Sequence, residues 1–179
     1  MTISPRVRRL ALTAHVASSV GWLGAVATFL ALAVVGLASD DGETVRAAYL
    51  VMEPAAWFVL VPLAFASLVT GLVQSLITTW GLFRHYWVVF KLLINVAATT
   101  VLLVYMETFS SLREVAADRN SELEAVRNPS PLIHATLALL LLLTATTLAV
   151  YKPRGMTRYG RRMPPPGQHE STSGRPLQR

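Results

Sequence analysis

The sequence contains no cysteine, which excludes disulfide bonds, thiolate metal sites and thiol catalysis. Charged residues are scarce, since Asp, Glu, Lys and Arg make up 15% of 179 residues while 53% are hydrophobic. A typical soluble domain has about 25% charged residues. A Gly-rich phosphate loop, a GxSxG motif and an HExxH motif are missing, so ATP-driven transport and hydrolase chemistry lose their usual signals. These absences favour a membrane protein that is not an enzyme.

The hydrophobic residues are gathered in four long stretches, near residues 10–37, 47–77, 86–106 and 132–151. A helix of about 20 apolar residues crosses about 30 Å of hydrocarbon. Only helices and closed barrels satisfy their backbone groups in lipid, and these runs lack the alternation of barrel strands. We therefore predict an all-α, polytopic membrane protein whose four-transmembrane-helix bundle occupies residues 1–155. Residues 156–179 are rich in Pro, Gly and Arg, and we predict a disordered basic cytoplasmic tail there, with His169 in it.

The net charge of +6 is distributed in a way that predicts orientation in a membrane and not nucleic-acid binding. Basic residues precede the first stretch, separate the second from the third and follow the fourth: Arg6, Arg8, Arg9, Arg84, Lys152, Arg154, Arg158, Arg161 and Arg162. Acidic residues populate the two other loops: Asp40, Asp41, Glu43, Glu107, Glu114, Asp118, Glu122 and Glu124. Cytoplasmic loops are enriched in Lys and Arg. We predict a multi-pass protein of the bacterial plasma membrane with both termini in the cytoplasm.

Two further segments complete the predicted organisation, one between the third and fourth spans and one at the start of the chain. The segment Ser111–Val126 mixes charges with apolar residues at helical spacing, so we predict a short surface helix after a third span that ends at Met106. The run that begins the chain resembles a signal peptide in its order of charged and apolar residues. It is roughly twice as long as a usual signal-peptide core, so we predict a retained helix.

Polar residues inside the spans are expensive in lipid and are expected to face the bundle interior. In the first span, His15 shares a face with Ser18, Ser19 and Trp22, and an adjacent face repeats the small residues Ala17, Gly21 and Ala25. In the second, one predicted interior stripe runs through Glu53, Trp57, Leu60, Ala64, Ser67, Gly71 and Gln74, with Pro54 and Pro62 as sites of kinks. In the third, the polar stripe is Lys91, Asn95 and Thr99. Three of these residues also have a purely structural interpretation. His15 would hydrogen-bond to a neighbouring helix, Glu53 would lie at the membrane interface, and Lys91 would extend to the membrane surface.

Imidazole, thioether and carboxylate groups are known copper ligands, and a thioether favours Cu(I). The candidate ligands are His15, Glu53, Met106 and His134, in one site or in separate sites. A haem would instead need paired axial histidines such as His15 and His85. His85 follows Arg84 and precedes Tyr86 and Trp87, which is typical of an interfacial anchor, and it lies at a shallower depth than His15. Haem is therefore less favoured than copper.

Two segments resemble a known family. His15 through Gly24, with Trp22 followed by Leu23 and Gly24, resembles the histidine and Trp-x-Gly helix motif of copper-resistance D-type membrane proteins, and Trp80–Gly81 through Lys91 resembles that family's glycine-to-lysine stretch. Over about the first 155 residues, the chain also resembles small actinobacterial integral membrane proteins that carry no assigned function. The resemblance implies a related helix core in which His15, Trp22, Gly24 and Lys91 occupy motif positions. Members of the copper group are generally larger than this chain.

The functional hypothesis from the sequence is a non-enzymatic membrane protein that binds copper or another small ligand through intramembrane histidines and polar groups. The other intramembrane polar candidates are Trp22, Gln74, His85, Lys91 and Asn95. The alternatives are a structural or regulatory membrane subunit without a cofactor and a b-type haem protein. Besides the lipid bilayer, a second copy of the chain or another membrane protein is an expected partner.

Overall fold

The computed structural model describes residues 4–77 and 82–151 together with Gly155 and Thr157. Its elements are α1 (Pro5–Ala38), α2 (Gly42–Ala55), a π-helical turn (Ala56–Leu60), α3 (Val61–Ile77), α4 (Tyr86–Ala117), α5 (Leu123–Val126) and α6 (Ser130–Tyr151). Four helical segments within this part are long and apolar enough to cross a membrane: Pro5–Ala38, Gly42–Ile77, Tyr86–Ala117 and Leu123–Tyr151. The predicted all-helical fold with four candidate spans is confirmed. The predicted tail over 156–179, including His169, lies outside the described residues apart from Thr157.

Side-chain caps and proline positions fix where the first helices begin. Ser4 accepts a hydrogen bond from the Val7 backbone N–H, and Pro5 occupies the first turn of α1, where its missing N–H costs nothing. Asp41 caps α2 by accepting hydrogen bonds from the hydroxyl and the backbone N–H of Thr44. The hydrogen bond from the Thr44 hydroxyl has the largest effect and the backbone hydrogen bonds add to it, and together they hold the pKa of the Asp41 carboxyl below its ordinary value.

The helix of the third predicted span extends beyond Met106, and the predicted surface helix over Ser111–Val126 does not form as one element. Helix α4 continues without a break to Ala117, and only Leu123–Val126 forms a separate turn in the loop. No proline or glycine interrupts residues 107–117. Phe109, Leu112 and Ala116 are buried along this extension, where α4 packs against α2. Burial of these apolar side chains stabilises the helical conformation beyond the end of the predicted span.

The four spanning segments run antiparallel in sequence order. His15 near the start of α1 contacts Gly71 near the end of α3, and Gly36 near the end of α1 contacts Tyr49 in α2. Tyr105, late in α4, donates a hydrogen bond to Ser130 at the start of α6. The start of α1 and the end of α6 therefore lie at one end of the bundle, called the terminal end below. The α1–α2 and α4–α6 connections lie at the other, the loop end.

The predicted interior stripe of the second span is correct at Leu60, Ala64 and Ser67, which are all buried, and wrong at Trp57, which is 51% exposed. The π-helical turn explains the difference. A π turn holds about one extra residue, so it rotates the helix face that precedes it relative to the face that follows. Ala56 and not Trp57 is buried at this level, together with Met52 and Tyr49 above it.

The interior face of α1 follows the predicted polar face at Ser18 and Trp22, and Gly21 of the adjacent small-residue face lies against Leu63 of α3. Ala17 is exposed, and the buried line runs through Ser18, Trp22, Val26, Phe29, Ala33 and Gly36. Gly36 of α1 lies directly against α2, since an added Cβ there would lie 2.9 Å from Cε2 of Tyr49. Large apolar groups therefore fill the centre of the bundle, and one glycine at the loop end admits the Tyr49 ring.

Two arginines and one tyrosine fasten the loop end through backbone carbonyls. Arg46 donates hydrogen bonds to the carbonyls of Ala116, Asp118 and Ser121. Arg127 donates to the carbonyls of Leu37 and Ser39. Tyr49 donates to the Asn128 carbonyl at 3.0 Å and accepts from the Asn128 N–H at 2.9 Å. These contacts fix the loop against α1 and α2 and satisfy carbonyls at the ends of α1 and α4.

Candidate functional site

A cavity of about 520 Å³ lies in the terminal half of the bundle, between α1, α3, α4 and α6. Its wall includes predicted polar candidates from three of these helices, namely His15, Trp22, Gln74, Lys91 and Asn95. Small-molecule sites in proteins commonly have volumes of about 300–1,000 Å³ and a mostly apolar lining with a few polar groups. The structure therefore brings these sequence candidates together around one space of ligand size.

His15 is held against α3 by hydrogen bonding. Its Nδ1 lies 3.2 Å from the hydroxyl oxygen of Thr70. The Thr70 hydroxyl also lies within hydrogen-bond distance of the Ala66 carbonyl and the Ser18 hydroxyl, so it joins α1 to α3 at this level. The ring also lies over the backbone of Gly71, where an added Cβ would be 3.0 Å from Cε1. His15 is a fixed part of the cavity wall.

Lys91 and Trp87 line the same cavity from α4. The Lys91 ammonium lies 6.0 Å from the centroid of the Trp87 ring, at the outer limit of a cation–π contact. One turn further, Asn95 donates from its amide nitrogen to the Lys91 carbonyl at 3.0 Å. The predicted stripe continues to Thr99, which is buried. The first three turns of α4 therefore place an ammonium, an amide and an indole around one space.

Gln74 contributes a buried acceptor that lacks a partner. Its Oε1 is inaccessible to solvent and has no hydrogen-bond partner in the described part of the chain. A buried polar atom left unpaired costs about 1–3 kcal/mol, so such atoms usually have a function or an unseen partner. Gln74 lines the cavity on α3, about one turn beyond the His15–Thr70 contact. A ligand with a hydrogen-bonding head group would satisfy this side chain.

Apolar side chains complete the wall and come from each of the four helices. They include Val16, Leu72, Leu92, Leu142 and Val150. Among the described lining residues, the ionisable side chains are His15 and Lys91, and both are cationic when protonated. The cavity therefore combines a polar, basic region with an apolar region, which suits a small amphiphile.

The predicted copper ligands do not form one site, because His15 lies in the terminal half and His134 lies in the second turn of α6 at the loop end. Glu53 forms a salt bridge with Arg113, with Oε2 and Nη1 separated by 3.1 Å. Met106 is buried in the hydrophobic core. Within the described ranges there is no group of three or more His, Cys, Asp and Glu side chains suited to hold a metal ion.

His134 is part of a hydrogen-bonded cluster at the loop end. Its Nδ1 lies 2.9 Å from the Ser130 carbonyl, which accepts, and its ring stacks on Tyr105 with the centroids 4.2 Å apart. Tyr105 in turn donates to the Ser130 hydroxyl at 2.8 Å. The two residues also border a smaller cavity of about 190 Å³. The cluster joins α4 to α6.

The haem alternative paired His15 with His85. His85 directly precedes α4, with its ring centroid 6.4 Å from that of Trp87. His15 projects from the third turn of α1 onto α3. His85 is not among the described residues that line the cavity, so the space next to His15 gives no support to that axial pair.

Sequence reasoning missed two contributors to these sites. Thr70, the partner of His15, lies three residues after Ser67 and four before Gln74, so the helical period alone was enough to place it on their face. Arg113, the partner of Glu53, lies in the segment predicted as a surface helix after the third span, and only the continuation of α4 brings it beside Glu53.

No family model, no curated protein and no solved structure matches this chain. The predicted resemblance to copper-resistance D-type proteins and to small actinobacterial membrane proteins therefore stays a prediction.

Proposed function

We propose that this protein is a non-enzymatic membrane protein that binds a small organic ligand in the cavity between α1, α3, α4 and α6. The observation that carries the proposal is that Gln74, whose buried Oε1 has no hydrogen-bond partner in the described residues, lines a cavity of about 520 Å³. His15, Lys91 and Asn95 line the same cavity, so a ligand would meet several hydrogen-bonding groups at once. Copper has less support, because Glu53 is paired with Arg113 and His134 lies at the other end of the bundle.

We further propose that the cavity lies in the cytoplasmic half of a bacterial plasma membrane. The terminal end carries Arg6, Arg8, Arg9 and Arg84, whereas most acidic residues belong to the loop end. Lys and Arg are enriched on the cytoplasmic side. A ligand would then enter from the inner leaflet or from the cytoplasm.

The test compares a variant that fills the cavity with one that places the same side chain outside it. Ala149 lines the cavity, whereas Thr147 on the same helix is exposed and is not among the lining residues. We expect Ala149→Phe to remove bound ligand, because the phenyl ring occupies the space. Thr147→Phe should retain the ligand. Native mass spectrometry of the protein purified in mild detergent, followed by a thermal-shift screen of metabolites and lipids, provides the readout.

Three results would contradict this function. Equal ligand content in Ala149→Phe and wild type would show that the ligand binds outside this cavity. No bound ligand and no stabilising compound would favour the structural or regulatory subunit, whose polar residues only join the helices. Elemental analysis of the same preparation tests copper and haem iron, and a near-stoichiometric metal that disappears in His15→Ala would replace the organic ligand.

A further inference from the structure

The chemistry of the cavity wall narrows the class of ligand, if the proposed binding function holds. The polar groups of the wall are not scattered. Gln74 lies within the last turn of α3, and Lys91 and Trp87 lie in the first two turns of α4, so they share the terminal end of the cavity. Asn95 and His15 lie next to them toward the bundle centre.

At this polar end, the ionisable side chains among the described lining residues can carry only positive charge. Lys91 carries an ammonium group, and His15 adds a second positive charge when protonated. Gln74 and Asn95 have amide groups, which donate as well as accept hydrogen bonds. A negatively charged head group complements Lys91 and, when it is protonated, His15, whereas the acceptor Oε1 of Gln74 requires a donor, such as the hydroxyl of a hydrogen phosphate.

The remaining wall favours an apolar body on the ligand. Leu68 and Leu72 from α3, Leu92 from α4 and Leu142 from α6 line the cavity, and Ala145 and Ala149 leave room beside them. A volume of about 520 Å³ accommodates a head group with one short hydrocarbon chain, but it is small for a two-chain lipid. Trp22, which is 2% exposed, closes the inner side of the space.

We infer that the ligand is a single-chain amphiphile with an acidic head group, a carboxylate or a phosphate, placed with its acid at Lys91 and its chain between α1, α3, α4 and α6. This inference rests on the proposed function and adds the charge and shape of the ligand to it. The same chemistry is found in free fatty acids and in single-chain phospholipids.

The experiment measures the binding of four probes to protein in nanodiscs of phosphatidylcholine, with empty nanodiscs as background. Radiolabelled decanoate and decyl phosphate carry the acid and the chain, 1-decanol carries the chain alone, and acetate carries the acid alone. We expect both acidic probes to bind more tightly than decanol, and acetate to show no measurable binding. The tighter of the two acidic probes identifies the head group.

Variants at Lys91 separate charge recognition from folding. We expect Lys91→Met to weaken decanoate binding about tenfold or more, because a charge-assisted hydrogen bond is lost, and to leave decanol within about twofold of wild type. Lys91→Arg should restore most of the affinity for the acid, since it keeps the charge. Thr147→Phe is the control at a site outside the cavity. Thermal midpoints and gel-filtration profiles of each variant establish that it folds.

Specific outcomes overturn this inference. Equal affinity for acid and alcohol would refute the acidic head group. If Ala149→Phe abolished the binding of both probes, the proposed binding cavity would still stand. Binding of acetate as tight as that of decanoate would refute the amphiphile and leave a simple anion site. Failure of all four probes together with an unresponsive thermal-shift screen would refute the proposed function itself.

Discussion

At the scale of single residues, small side chains decide how closely the helices of this bundle approach. Gly36 and Gly24 both belong to α1, but only Gly36 meets another helix. A Cβ on Gly36 would lie 2.9 Å and 3.0 Å from two atoms of the Tyr49 ring, whereas a Cβ on Gly24 would have nothing within 4 Å. Tyr49 is fully buried and hydrogen-bonded to Asn128, so its ring has little freedom to move. Alanine substitutions at Gly36 and Gly24 therefore compare a crowded position with an open one on the same helix.

We expect Gly36→Ala to destabilise the protein by about 1–3 kcal/mol, the usual cost of overpacking a well-filled interior. Gly24→Ala should be neutral or slightly stabilising, because alanine favours a helix over glycine by about 0.5–1 kcal/mol. Reversible unfolding in mixed detergent micelles, followed by circular dichroism, measures the difference. Equal losses in the two variants would show that helix propensity in α1, and not the Tyr49 contact, sets the effect.

At the scale of elements, the loop between α4 and α6 is held by arginine side chains that reach its backbone. Arg46 in α2 donates to the carbonyls of Ala116 and Asp118 at 3.2 and 2.8 Å and also to that of Ser121. By comparison, Arg119 makes a 3.4 Å contact with Glu43 in which both side chains are mostly exposed. Exposed ion pairs contribute little, about 0–1 kcal/mol.

We expect Arg46→Met to release this loop, raising amide hydrogen exchange over residues 118–128 about 30-fold, which corresponds to about 2 kcal/mol for the lost charge-assisted hydrogen bonds. Arg119→Met should leave exchange in the same segment unchanged. Hydrogen–deuterium exchange with mass spectrometry compares the two variants with wild type. Similar exchange in both variants would assign the order of the loop to α5 packing instead of Arg46.

At the scale of the whole molecule, the charges at the two ends of the bundle differ in sign, and this difference underlies the proposed orientation. The start of α1 and the end of α6 both lie at the terminal end, because the four candidate spans run antiparallel. The cavity shares that end. Orientation therefore decides from which side of the membrane a ligand arrives.

The absence of cysteine makes orientation directly testable by single-cysteine labelling. We expect a membrane-impermeant maleimide to label Asn120→Cys, at an exposed loop position, in intact bacterial protoplasts. Thr2→Cys should react only after the membrane is permeabilised. The reverse pattern would contradict the proposed orientation and place the cavity in the outer half of the membrane.

The local sequence determined the four spanning helices and their approximate ends, because length, hydropathy and caps act within a few turns of chain. It also singled out His15, Gln74, Lys91 and Asn95, since polar groups inside a span must find an interior. Errors arose where tertiary contacts override the local pattern. Burial against α2 extends α4 past Met106, and the π-helical turn rotates Trp57 out of the interior.

Only the tertiary structure decided which polar residues meet. His15, Gln74, Lys91 and Asn95 lie on three helices and border one cavity because antiparallel packing brings the start of α1, the end of α3 and the start of α4 to the same level. The same packing pairs Glu53 with Arg113 and stacks His134 on Tyr105, at the opposite end of the bundle from His15. Spacing along one helix specifies its faces, but the partner of each face depends on the packing of the other helices.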